Sequence, residues 1–202
     1  MKKSILSLVA VVALSLMGTG AFAQSSIGIF NGARSFASKV DGADKTESTA
    51  GSTFGISYEH NTRLGSLLGV SAGVDLSVFG ANDFFDIKDY TVVESYIDIP
   101  IRGKVFIPLG NSVDLNVFAG FVPSYCLGSW GKVDKDDDAT NRFKDNEDYK
   151  RFDVMLGGGV GLDIIKHIKL AASFDFGVLD RNASDAIQYH QGVLKFTAAY
   201  IF

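Results

Sequence analysis

The 202-residue chain carries 19 basic and 23 acidic residues, a formal net charge of -4, and is 47% hydrophobic and 12% aromatic. An acidic chain without a basic cluster is poorly suited to nucleic acid, and no nucleic-acid partner is expected. Cys126 is the single cysteine, which excludes an internal disulfide.

At the N-terminus, Lys2 and Lys3 precede an apolar run from Ile5 to Met17, and Ala21-Phe22-Ala23 offers small residues at a cleavage site before Gln24. This is the pattern of a secretory signal over residues 1–23, with Ala21 and Ala23 as the cleavage residues and 24–202 as one mature domain. A helical anchor is the weaker reading, because Gly18 and Gly20 break the run short of the ~20 apolar residues that a span needs. No cysteine follows the small residues, so a lipoprotein anchor is not expected. Without Lys2 and Lys3, 17 basic residues face 23 acidic ones, a net charge of -6. No later apolar run approaches a helical span, so membrane insertion would have to be by closed strands.

Hydrophobic alternation predicts eight strands, at 26–36, 53–61, 67–79, 90–107, 113–127, 151–165, 168–178 and 191–202. The clearest case is the fourth. Ile97, Ile99, Ile101, Val105 and Ile107 fall on one face, and Glu94, Tyr96, Asp98, Arg102 and Lys104 on the other. The connections alternate in length. Those at 37–52, 80–89, 128–150 and 179–190 are long, and those at 62–66, 108–112 and 166–167 are short. Short turns at one end and long loops at the other fit an all-β, eight-stranded antiparallel up-and-down transmembrane barrel, with periplasmic turns and extracellular loops.

Alternation alone leaves open which face points inward, since a soluble ligand-binding barrel also alternates. Two features favour apolar residues outside. The apolar face is too bulky for the interior of an eight-stranded ring but would cover a lipid-facing belt. The opposite face is rich in glycine, at Gly69, Gly73, Gly120, Gly157, Gly159 and Gly161, which suits a crowded lumen better than a solvated strand surface. That face also carries Arg34, Glu59, Asp75, Asp98, Arg102, Lys104, Asp114, Asp153, Asp175 and Lys195. Unpaired charge in a narrow lumen is costly, so these residues are expected to form a structural network of opposite signs. Lys104 is expected to pair with Asp114, and Lys195 with Asp175. A plug of ion pairs is the simple reading, and a proton or ion path the sharper one.

The block Tyr96-Ile97-Asp98-Ile99-Pro100-Ile101-Arg102-Gly103-Lys104 resembles the "YLEIPLLLK"-like strand of porin-family outer-membrane β-barrel proteins of Gram-negative bacteria. Gly28 to Ala33 is similar to their first-strand "GVKGG" pattern, and Gly157 to Asp163 to their late "GGGVG" strand. The resemblance covers the whole mature chain. It implies an outer-membrane location, a final strand whose Tyr200 and Phe202 are read by the barrel-assembly machinery, and an irregular pairing at Pro100. Despite the porin label, eight strands leave no open water channel.

The loops carry weaker signals. Asp134-Lys135-Asp136-Asp137-Asp138 looks like the start of a calcium loop, but Ala139 stands where its glycine belongs, and a solvated surface loop is the simpler reading. His190 with Ser184 and Asp185 is the only local set with nucleophile, base and orienter types; His60 and His167 lie toward the opposite end. Cys126 reads as a small wall residue. Tyr90, Tyr125, Trp130 and Phe152 are expected in an outer aromatic girdle, and Tyr58, Phe106, Tyr200 and Phe202 in an inner one. No catalytic, cofactor or metal residues are assigned. The expected role is a non-enzymatic barrel with a filled lumen, serving envelope integrity, surface adhesion or recognition. Its expected partners are outer-membrane lipids and lipopolysaccharide, the assembly machinery, and a surface ligand on the long loops. The alternatives are an enzyme modifying outer-membrane lipid, and a barrel binding a small solute or lipid.

Overall fold

A computed structural model describes residues 23–40, 46–133, 139–145, 150–182 and 187–202. Most of the signal segment, with Ala21, lies outside the described residues, as do the aspartate-rich stretch 134–138 and Ser184 and Asp185. The strands are β1 (Ala23–Val40), β2 (Thr46–Leu64), β3 (Leu68–Ala81), β4 (Tyr90–Asp98), β5 (Ile101–Pro108), β6 (Val113–Val133), β7 (Thr140–Asn141), β8 (Phe152–Ile164), β9 (Ile168–Gly177) and β10 (Ile187–Ile201). Every ladder is antiparallel. β1 pairs with β2 on one side and β10 on the other, which closes the sheet. Going round, β2 meets β3, β3 meets both β4 and β5, both of these meet β6, and β8 and β9 lead back to β10. β7 only extends the upper edge of β6. The ring therefore has eight positions, and β4 and β5 share one of them.

The predicted fourth strand is thus two strands in line. Pro100 has no N–H to give to a ladder, and regular pairing stops at Ile99 and Pro100. The gap is stitched from both sides: Ile99 N–H donates to the Pro123 carbonyl at 2.8 Å, and Gly73 N–H donates to the Pro100 carbonyl at 2.9 Å. A second irregularity lies higher, where Ser95 faces Gly128 but Tyr96 faces Cys126. Leu127 is the extra residue, a β-bulge that reverses the alternation above it. Ser129 and Gly131 consequently face inward, and Trp130 faces outward.

Several strands run further than alternation indicates. β1 and β2 stay paired to Lys39 opposite Thr46, so most of the predicted 37–52 loop is strand. β6 continues to Val133, shortening the predicted 128–150 loop in the same way. The β1 and β2 extensions are largely polar on both faces, as in Ser38, Lys39, Glu47, Ser48 and Thr49. The period-two signal fades there because backbone pairing no longer has an apolar side to bury.

The outer wall is apolar. Ile29, Ile56, Phe174 and Phe196 are each more than half exposed, and Leu76, Val117, Phe121, Leu156 and Leu194 continue the band. An apolar band round the whole wall is what a membrane-spanning barrel presents to lipid. The inner face takes the glycines. A methyl on Gly157 would meet Asp175 Oδ1 at 2.5 Å, one on Gly159 the Phe118 ring at 2.7 Å, and one on Gly161 Asn116 at 2.7 Å. Their absent side chains are the space that these lumen groups occupy.

Candidate functional site

Alternation aims every second side chain of each strand into the ring, and eight strands enclose just enough room for side chains to fill it. The lumen is therefore the place where the chain concentrates its chemistry. It is built in layers, starting from the short-turn end.

At that rim Arg63 bonds Asp114 at 2.6 Å, and its guanidinium lies 4.1 Å from the Phe106 ring centre. One layer up, Glu59 is shared by two lysines. One oxygen lies 2.6 Å from Lys104 Nζ, and the other accepts a bond from Lys169. Above them Lys195 bonds Asp75 at 2.8 Å, and Arg102 grips both oxygens of Asp175 at 2.8 and 3.1 Å. The cations also stand over aromatic faces, Arg102 4.7 Å from the Phe118 centre and Lys195 5.4 Å from that of Phe30. A cation over a ring gains from the ring quadrupole, which explains why large aromatics sit on the charged face.

The upper half uses neutral hydrogen bonds as well. Arg34 is fully buried. It donates to Asp98 at 3.1 Å and Gln191 at 2.7 Å, and its guanidinium lies 3.6 Å from the Tyr96 ring centre. Asp98 also accepts from Ser124 at 2.5 Å. Gln191 passes the chain on to Asp153 at 2.8 Å, whose other oxygen accepts the N–H groups of Val154 and Leu179. Glu94 accepts from Tyr96, from Ser129 at 2.7 Å and from Arg142 at 3.1 Å. Arg181 reaches the Tyr96 hydroxyl at 3.0 Å. Over this network lies an aromatic stopper. Phe36 stacks on Tyr189 with centres 5.3 Å apart and meets Phe79 edge-on at 5.3 Å, and Phe84 closes against both phenylalanines. Cys126 is buried in the same cluster, its thiol donating to the Gly128 carbonyl at 3.3 Å.

The structure places Arg34, Glu59, Asp75, Asp98, Arg102, Lys104, Asp153, Asp175 and Lys195 inside the barrel, and Asp114 at its rim. The expected Lys104–Asp114 pair is not formed. Asp114 lies opposite Pro108 and Lys104 opposite Phe118, too far apart along the ladder, and each finds a nearer partner. Lys195 lies 3.9 Å from Asp175 but 2.8 Å from Asp75. Reach across a narrow lumen is shorter than reach along a hairpin, which is why these partners come from non-adjacent strands.

Sequence reasoning left Glu94, Asp163, Lys169, Gln191, Arg142 and Arg181 out of the network, although Glu94 was read on the charged face of the fourth strand. The first four were accessible: Lys169 is in step with Asp175, Asp163 with Asp153, Glu94 with Asp98, and Gln191 with Lys195. Arg142 and Arg181 come from outside the eight predicted strands and carry no such signal. Of the expected girdles, Tyr125, Trp130 and Phe152 face outward at the long-loop end, and Tyr200 and Phe202 at the other. Phe106 instead points inward under Arg63, because it shares the inner parity of Arg102 and Lys104, and Tyr90 packs toward Phe84. Tyr58 is half-buried against Ser25. The histidines are not brought together. His60 bonds Ser25 at 2.9 Å, His167 stacks on Tyr200, and His190 sits on β10 opposite Ala37.

Residues 22–180 match the family model described as the outer membrane protein beta-barrel domain. No curated protein sequence matches the chain. Among solved structures, it is similar to Ail, the attachment invasion locus protein of Yersinia pestis, at 15% identity and a TM-score of 0.48, over 90% of this chain and 100% of that one. A second Ail structure, at 16% identity and a TM-score of 0.42, is a complex with the heparin analogue sucrose octasulfate; it covers 90% of this chain and all of its own. Neisserial surface protein A matches at 11% identity and 0.49, over 86% and 96%, and the outer membrane enzyme PagL at 9% and 0.48, over 85% and 98%. These are likenesses of fold.

Proposed function

The chain belongs to the outer membrane protein beta-barrel domain family, an outer-membrane barrel of Gram-negative type, and on that premise we propose a non-enzymatic role in envelope integrity and surface recognition. The observation that carries this reading is the stoppered lumen. Ion pairs bridge it from the Arg63 rim to Arg34, and the Phe36, Phe79, Phe84 and Tyr189 stopper covers its upper end. A barrel filled in this way is a rigid post rather than a conduit. It leaves its upper extensions, such as the β1–β2 hairpin paired up to Lys39, to meet a surface ligand. Outer-membrane lipid and lipopolysaccharide are the proposed partners of the apolar wall and of outward-facing Tyr125, Trp130 and Phe152.

Two processing steps belong to the same proposal. Residues 1–23 are removed as a signal by cleavage after Ala23, with Ala21 as the other small residue. Tyr200 and Phe202 are read by the barrel-assembly machinery, and Phe202 then closes the seam by exchanging backbone hydrogen bonds with Ser25, at 2.8 and 3.3 Å.

The test replaces residues 41–45, 134–138 and 183–186 by short glycine-serine linkers. The expected product still fractionates with the outer membrane and shows a heat-dependent gel shift, while whole-cell attachment to a host-like surface falls to that of the deletion strain. Attachment unchanged by the replacement, together with phospholipid hydrolysis that disappears on His190→Ala, would overturn the reading in favour of a lipid-modifying enzyme.

A further inference from the structure

We propose that two copies of the barrel pair side by side in the membrane, through the wall around Asn31. β1 sends Ile27, Ile29, Asn31 and Ala33 to the outer face, and Asn31 is exposed there. It stands four residues above Ile27, which pairs with outward-facing Tyr200 of the inner girdle. At about 3.3 Å per residue on a strand tilted about 40°, that is a climb of roughly 10 Å into an apolar band about 25 Å tall. An amide is thus held near the middle of the hydrocarbon.

Nothing on its own chain satisfies it. Phe54 of β2 and Phe196 of β10 lie directly opposite, each more than half exposed, and Ile29 and Ala33 flank it along β1. Its side chain has no partner among the described residues. Among those residues it is also the only carboxamide on the wall between the two girdles. Lipid tails offer neither donor nor acceptor, and an unsatisfied polar group among them is costly.

An amide is its own complement. Across a twofold axis, an N–H of each copy can donate to the carbonyl of the other, so one residue supplies two reciprocal hydrogen bonds. The surroundings fit such an isologous contact. The diagonal neighbours Ser52 and Ala198 are small and exposed, which lets a second wall come close. Phe54 and Phe196 stand on either side of Asn31, so an axis through it sets Phe54 of each copy beside Phe196 of the other, adding aromatic contact. A lipid would leave the amide unbonded. A different membrane protein would need its own polar group at the same depth, whereas a second copy necessarily brings one. Pairing of this kind requires only a lipid-facing wall and holds whatever the surface loops bind.

The experiment is sedimentation equilibrium of the refolded mature barrel in density-matched detergent, comparing the parent with Asn31→Leu and Asn31→Gln. The parent is expected to dimerise reversibly. Asn31→Leu adds an apolar side chain to an apolar wall, so its heat-dependent gel shift should persist while its dimer dissociation constant rises at least about tenfold. Asn31→Gln keeps the amide and should retain most of the association. A parent that stays monomeric at every concentration overturns the proposal, and so does Asn31→Leu that associates like the parent. Should Asn31→Leu fail to close, Ser52→Cys decides in outer membranes. Mild oxidation should link it to a second copy, while Val117→Cys on the opposite wall should give no dimer. Cys126 is buried, so the parent serves as the blank. No self-link, or links only to other envelope proteins, would overturn the pairing. A wall that does not face lipid would show itself differently, as parent recovered in the soluble fraction.

Discussion

The two halves of the lumen are filled on different principles. In the lower half, ion pairs drawn from strand residues span the ring, as Lys195 does to Asp75 and Arg102 to Asp175, and a small polar cavity remains between them. In the upper half, Arg34 and Arg181 are completely buried among hydroxyls, an amide and aromatic rings, beneath the phenylalanine stopper. The lower half is tied by ion pairs that cross the ring between non-adjacent strands, Lys195 standing between Asp75 at 2.8 Å and Asp175 at 3.9 Å. The upper half is closed in part by residues, Phe84, Arg142 and Arg181, that lie beyond the strands of the ring. Charge therefore fixes the register of the barrel, while packing closes its mouth.

The strongest test removes one charge from the lower half. Arg102→Met would strand Asp175, which is fully buried, beside a lysine already engaged with Asp75. Breaking a buried pair by removing one partner costs about 3–5 kcal/mol. Urea unfolding in detergent should show a loss of that order, and restoring neutrality with Arg102→Met plus Asp175→Leu should recover much of it. The corresponding test of the mouth compares two phenylalanines of nearly equal burial. Phe79 is held by β3 and Phe84 by the turn after it. Phe79→Ala should cost about 3–5 kcal/mol, the usual range for a core phenylalanine. Phe84→Ala should cost less, because its turn can relax, and should instead speed proteolytic nicking at 82–89. Equal losses would mean that the turn is as rigid as the wall.

This contrast also explains what the sequence made legible. Strand residues announce their face through period two, so the ring, its parity and Arg34, Asp98, Arg102 and Lys104 could be read directly. Partners could not: Lys104 meets Glu59 rather than Asp114 because a lumen brings together residues from opposite walls, and no local rule gives the cross-lumen distance. Phe106 was assigned to the girdle by type alone, although its parity with Arg102 already placed it inside. Arg181 was beyond reach, since its burial depends on how the segment after β9 folds over the mouth. The bulge at Leu127 has no sequence signature either, yet it sets which way Trp130 points.

The same comparison extends from lumen to wall. Arg34 is accommodated at zero exposure inside because Asp98, Gln191 and Tyr96 surround it. Moved outward, an arginine would find only hydrocarbon. Ile56→Arg, near the middle of the apolar band, should cost about 2–4 kcal/mol in refolding from urea into bilayers. A cost near zero would mean that the outer face is solvated and that the apolar band is not the lipid boundary.

The smallest effect is expected at the periplasmic rim. Arg63 and Asp114 are closer together than most of the buried pairs, at 2.6 Å, but their side chains are 24% and 27% exposed. Water and salt screen such a pair, and the free partner can be rehydrated when the other is lost. Exposed pairs are worth about 0.2–1 kcal/mol, so Arg63→Ala should lie in that range, with the loss of stacking on Phe106 included. Its effect should shrink further in high salt, whereas the effect of Arg102→Met should not. If the two variants responded equally to salt, the rim would be as dry as the interior, and the lower lumen would be sealed from the periplasm by Arg63 rather than by the ion pairs above it.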